Sequence, residues 1–118
     1  MIKPVMIAAI ALCVATGANA ATVLFKQYKN PSDDTARAFN TVYLSGVMEG
    51  LLTFNSSQIS DNKPPLFCLP PKLAVTAEQA ADIMTREATL LGNVDGIPIS
   101  ILLLEGLKET FPCGGQSK

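Results

Sequence analysis

Four carboxylates carry the only arrangement in this sequence suited to acid–base chemistry. Asp82 and Glu87 fall on one helical stretch, Glu105 and Glu109 on the next. Glu105 and Glu109, four residues apart, share one helix face. Such pairs do catalytic work when an apolar pocket shifts the pKa of one member; without that pocket they form a solvated face, which is the expectation here. The 118 residues include no His, which removes the imidazole general base, the Ser-His and Cys-His nucleophile pairs and the imidazole metal ligand. No acidic run resembles a calcium loop. The cysteines Cys68 and Cys113 are too far apart in sequence for a thioredoxin-like motif. No catalytic residue, metal ligand or cofactor is assigned, and the chain reads as a binder, not an enzyme.

Charge and length narrow the partners. With 9 basic against 10 acidic side chains and a pI near 5.2, the chain lacks the basic face that nucleic acid or an anionic membrane surface demands. Residues 1–20 read as a signal peptide: Lys3 supplies the positive start, Val5 to Ala15 an apolar run too short to span a bilayer, and Ala18-Asn19-Ala20 a small-residue cleavage site. Leu12 before Cys13 does not fit a lipidation site. Cleavage after Ala20 is expected to leave one periplasmic domain, 21–118, with no membrane attachment.

That domain keeps Cys68 and Cys113, and two cysteines in an exported chain permit one intramolecular bridge. Two free buried thiols, or an intermolecular bridge, are the alternatives. Closing a loop of about 45 residues is worth about 4 kcal/mol in the chain-entropy model, against a total margin of about 5–15 kcal/mol for a domain this size.

The elements that would position these residues are helical. Ala21 to Lys29 predicts a short helix. After Asn30-Pro31, Ser32 or Asp33 caps a long one, in which Ala36, Phe39, Tyr43, Gly46, Val47, Gly50 and Phe54 recur at threes and fours and predict the buried face. Asn55 to Val75, with Pro64-Pro65 and Pro70-Pro71, predicts a long loop that the disulfide would tie down. Thr76 and Gln79 form a capping box for the next helix, whose stripe is Ala80, Ile83, Met84, Ala88 and Leu91; Gly92-Asn93 stops it. Ile99, Leu102, Leu103, Gly106, Leu107 and Phe111 mark a last, largely buried helix opening at Pro98, with a strand over Ile97 to Leu104 as its competitor. The expected fold is all-α: a small bundle of three main helices plus a short N-terminal one, with one intramolecular disulfide.

Two features suggest contacts. Gly46 and Gly50 sit one turn apart in the long helix, where each glycine costs about 0.5–1 kcal/mol relative to Ala. Close approach of another helix would offset that, with a helix of the same chain expected and a dimer interface as the alternative. Asn93, Val94 and Asp95 lie in the turn between the last two helices. That turn is either an ordinary connection or a small projection able to enter another protein's cleft.

Three landmarks then fall in order: Tyr43-Leu44-Ser45-Gly46, Phe67-Cys68-Leu69-Pro70 and Phe111-Pro112-Cys113. With the signal peptide, they make the chain resemble the Rap1a/Tai family of bacterial immunity proteins, over about Phe39 to Cys113. Many members carry a further Cys ahead of the Tyr-x-x-Gly segment, where this chain has Thr41-Val42. The resemblance, to Tai4-like members, implies a periplasmic homodimer that binds and inhibits a peptidoglycan amidase effector of type VI secretion (Tae4-like). On this chain the turn carrying Asn93, Val94 and Asp95 would be the inserting element. Two other classes of function compete: a general periplasmic stress or chaperone-like helical protein, and a small carboxylate-dependent hydrolase.

Overall fold

The computed structural model describes residues 22–114, so the signal peptide and Cys13 lie outside the described part. Four helices follow one another: α1 (Phe25–Lys29), α2 (Asp34–Ser60), α3 (Ala77–Leu91) and α4 (Ile99–Thr110). The described residues form no strand, and the stretch from Ile99 on is helix. Pairing of extended backbone reduces to a single bridge between Leu24 and Pro98.

The helix ends show why these segments stop and start where they do. Asp33 caps α2 by accepting from the Ala36 amide at 2.7 Å. Thr76 Oγ1 accepts from the Gln79 amide at 3.1 Å, and Gln79 Oε1 accepts from the Thr76 amide at 2.9 Å, which closes the expected capping box. Gly92, at φ +90°, terminates α3 in a backbone region that other residues rarely enter.

α4 is the axis of the core. Ile99, Leu102, Leu103 and Leu107 are fully buried, and Ala80, Ile83, Met84 and Ala88 of α3 pack against them. Gly106 makes the α3–α4 contact possible: a Cβ there would meet Ile83 Cγ2 at 2.8 Å and the Ile83 carbonyl oxygen at 2.9 Å.

α2 departs from the sequence pattern in two ways. Its buried residues are Asn40, Leu44, Met48 and Asn55, so the helix is rotated relative to the predicted stripe. Phe39 and Phe54 are half exposed, and Gly46 and Gly50 are exposed with nothing within 4 Å of an added Cβ. The expected packing of these glycines against a helix of the same chain is therefore not made. The helix is apolar on both sides, and periodicity alone does not choose between two apolar stripes.

α2 also runs six residues beyond Phe54, through the polar stretch that reads as loop, and ends at Ser60. Its stop is a Schellman arrangement. Asn62 takes φ +56°, its amide donates to the Ile59 carbonyl, and the Lys63 amide donates to the Gln58 carbonyl at 2.8 Å.

The proline-rich loop is anchored at its centre. Phe67 is fully buried, and Asn55 clamps its backbone. Asn55 Nδ2 donates to the Phe67 carbonyl at 2.7 Å, while Asn55 Oδ1 accepts from the Leu66 amide at 2.7 Å. Next to it, the Cys68 amide donates to the Phe111 carbonyl at 2.8 Å, and the Cys68–Cys113 disulfide joins loop to tail with the Cα atoms 4.8 Å apart.

Glu87 is the buried carboxylate of the α3–α4 seam, 8% exposed. Burial raises its pKa above the ordinary carboxylate value, and the charges of Glu109 and then Glu105 push the same way. A proton held more tightly in the folded than in the unfolded chain stabilises the fold fully below the unfolded pKa. That contribution is lost as pH rises through the raised folded value.

Two outcomes follow from these contacts. Asn55→Ala strands the buried Phe67 carbonyl and frees the part-buried Leu66 amide, and is expected to cost about 1–3 kcal/mol in urea unfolding, with an unchanged m-value. Glu87→Gln is expected to melt higher than the wild type at about pH 7, with the difference closing by about pH 4; a difference that grows on acidification would refute the assignment.

Candidate partner-binding surface

The turn between α3 and α4 is exposed yet closed on itself. The Ile97 amide donates to the Val94 carbonyl at 2.9 Å and closes it. Val94 is 4% exposed and belongs to the core. It is the anchor of the turn, not one of its tips, because an apolar side chain in this position is driven under the connection. Asp95 is also less free than expected: its carboxylate meets Lys29 Nζ at 2.7 Å, and its carbonyl accepts from the Lys26 amide at 3.1 Å. Of the three expected turn residues, Asn93 alone is openly exposed.

The exposed companions of Asn93 are Leu90 and Leu91, 74% and 55% exposed. Leu91 fits the buried stripe of α3 by spacing, yet it is exposed. In the sequence the pair is visible as a Leu-Leu step directly before a helix-stopping glycine.

A second surface is the outer face of α2. Phe39, Val42, Gly46, Gly50 and Phe54 follow at spacings of three and four, and Val42 is 71% exposed. Phe39 and Tyr43 stack loosely, with ring centroids 6.1 Å apart. The two glycines leave a flat strip between aromatic ends, about 22 Å long at the helical rise.

The carboxylates do come together. Glu87, Glu105 and Glu109 converge along the α3–α4 seam, whereas Asp82 is exposed and acts on Tyr28. Glu105 is paired with Lys108 at 3.3 Å on the surface. Burial, and then the Asp82 charge, raise the Tyr28 phenol above its ordinary value and keep it protonated. Among the described residues, those lining the depression beside α1, Val23, Gln27, Asn30, Phe39 and Asn40 among them, include no titratable side chain. Among the described residues, no group of three or more His, Cys, Asp or Glu is placed to hold a metal ion. These surfaces offer apolar side chains and one amide on a fixed turn, and an apolar strip on a long helix.

Comparison with known proteins agrees with that character. The family model of the Rap1a immunity proteins matches residues 8–113, most of the chain. No curated protein and no solved structure matches it. Among the described residues, no helix is long and apolar enough to cross a membrane. The match spans the capped helices, the clamped loop and both cysteines of the disulfide, and by it the chain belongs to the Rap1a immunity protein family.

Proposed function

We propose that this chain is a periplasmic immunity protein of type VI secretion that inhibits a peptidoglycan amidase effector, Tae4-like in kind, by seating its α3–α4 turn in the enzyme's cleft. Membership of the Rap1a immunity family supplies the class of role. The observation that carries the surface is the pair Leu90–Leu91, exposed beside Asn93 on a turn whose base is buried. Binding energy at protein interfaces concentrates in a few side chains that lose water completely on docking. Exposed leucines on a fixed projection have apolar area to remove from water on docking, and Asn93 supplies a polar group for orientation. An immunity protein needs neither a catalytic pocket nor a cofactor; it needs stability and a shape its target accepts.

The working form in this reading is a homodimer joined through the outer face of α2. The glycine strip allows two helix backbones to approach closely, and Phe39, Val42 and Phe54 then lose exposed apolar area on both copies. Glycine in an exposed helix interior weakens the monomer, so a second copy would offset that cost.

Two measurements test this. The chain should co-purify with the amidase encoded beside its own gene and protect cells that export that amidase, and Leu91→Asp should weaken the complex at least about tenfold, the equivalent of 1.4 kcal/mol. Absence of any complex, combined with protection of unrelated clients from aggregation at low pH, would favour the chaperone-like reading instead. Light scattering should give a dimer that Val42→Glu converts to monomer without loss of helical signal; a dimer unaffected by that charge would place the interface elsewhere.

A further inference from the structure

The grip on the α3–α4 turn comes from one short stretch near the other end of the sequence. The amides of Phe25 and Lys26 donate to the carbonyls of Ile97 and Asp95 at 2.9 and 3.1 Å, and the Ile99 amide donates back to the Val23 carbonyl at 2.9 Å. Lys29 Nζ completes the set on Asp95 at 2.7 Å and lies 5.5 Å from the centroid of the Phe25 ring. Val23 is itself buried at 4% exposure. α1 has only five residues, too few to persist as an isolated helix, so the same bonds that hold the turn also hold α1.

We infer that 23–29 is a clasp that presets the turn for its protein partner, and that Asp95 and Lys29 are positioning residues of that surface, not contacts; this rests on the turn being the partner-binding element. Glycines bracket the turn at Gly92 and Gly96, and a connection with glycine at both ends samples many conformations unless something external fixes it. Ordering it on binding would cost affinity, and ordering it beforehand spares that cost. The gain falls on dissociation, since a preset loop leaves its complex more slowly and changes encounter little. A carboxylate already committed to Lys29 has to break that pair before it can serve a partner.

Lys29→Gln, Asp95→Asn and the double substitution, made in the whole mature protein, separate positioning from contact. Each is read by amide exchange in the free protein and by dissociation from the neighbouring-gene amidase carrying an inactivated nucleophile. Either single change is expected to speed exchange at Lys26 and Ile97 about two- to fivefold, the range of an exposed ion pair, while Leu103 and Leu107 exchange as before. Dissociation should accelerate by a similar factor, and the double should be no worse than either single. Unchanged exchange overturns the clasp. Faster exchange with unchanged dissociation overturns its role in presentation, and an Asp95→Asn effect that adds to that of Lys29→Gln makes Asp95 a contact.

The backbone part of the clasp has its own test. Phe25→Pro removes the amide that reaches Ile97 at a first helical position that accepts proline, and Leu24, at φ −81° and ψ 155°, already has the conformation that precedes one. Phe25→Ala removes the same ring and keeps the amide. Faster exchange at Ile99 in the proline variant than in the alanine variant supports the clasp, and equal exchange refutes it. These exchange readouts need no partner, so a wild type that binds no amidase sinks the proposed target while the clasp is still decided.

Discussion

The rest of the structure depends on the tether between the proline-rich loop and the tail. α4 is covered on one side by α3, and Phe67 from the loop adds a fully buried ring to the same core. The loop has no periodic structure of its own to hold that ring in place. It stays because Cys68 is bound twice to the end of α4, by its amide on the Phe111 carbonyl and by its sulfur on Cys113, and because Asn55 satisfies the neighbouring backbone from α2. A small helical domain has little core to spare. Covalent closure of the long 68–113 segment lowers the entropy of the unfolded chain at the point where the folded one has fewest regular contacts.

From that fixed core the possible interaction surfaces follow by subtraction. The last turn of α3 buries Ala88 and presents Leu90 and Leu91 to solvent. Val94 then dips back into the core and turns the chain into α4. The projection is therefore short, apolar at its base and pinned on both sides, which is the form an immunity protein of the Rap1a family can offer to a protein target. Of the acidic groups of the α3–α4 seam, Glu87 and Glu109 line a depression with Ile83, Leu90 and Gly106 beside this surface. Their mutual repulsion and burial act on stability, through Glu87.

Two buried amides explain how α2 is oriented. Asn40 donates to the Gln27 carbonyl at 3.1 Å and ties α2 to α1, and Asn55 ties α2 to the loop. Asn55 thereby satisfies the buried carbonyl of Phe67. These two bonds favour burial of the Asn40–Leu44–Met48–Asn55 side; Tyr43 and Val47 of the predicted stripe still pack against the core, while Phe39, Gly46, Gly50 and Phe54 are left outside. Polar side chains with specific partners thus decide between two apolar stripes of similar strength.

Much of this was legible in the residues themselves. The helical class, the capping of α2 at Asp33 and of α3 at Thr76, the stop at Gly92 and the burial of α4 all follow from local rules, because caps, glycine conformations and a strongly apolar period act within a few residues of where they are written. The pairing of Cys68 with Cys113 was one of few options that two cysteines allow. What the tertiary structure decided is everything that depends on a distant partner. The rotation of α2 and its extension to Ser60 required Gln27, Leu66 and Phe67 to be in place. The descent of Val94 into the core required α1 beneath the turn, and the commitment of Asp95 required Lys29. Local sequence sets how a segment prefers to fold, but which of its faces is covered is settled by what else arrives there, and hydrogen-bond partners far along the chain leave no periodic mark.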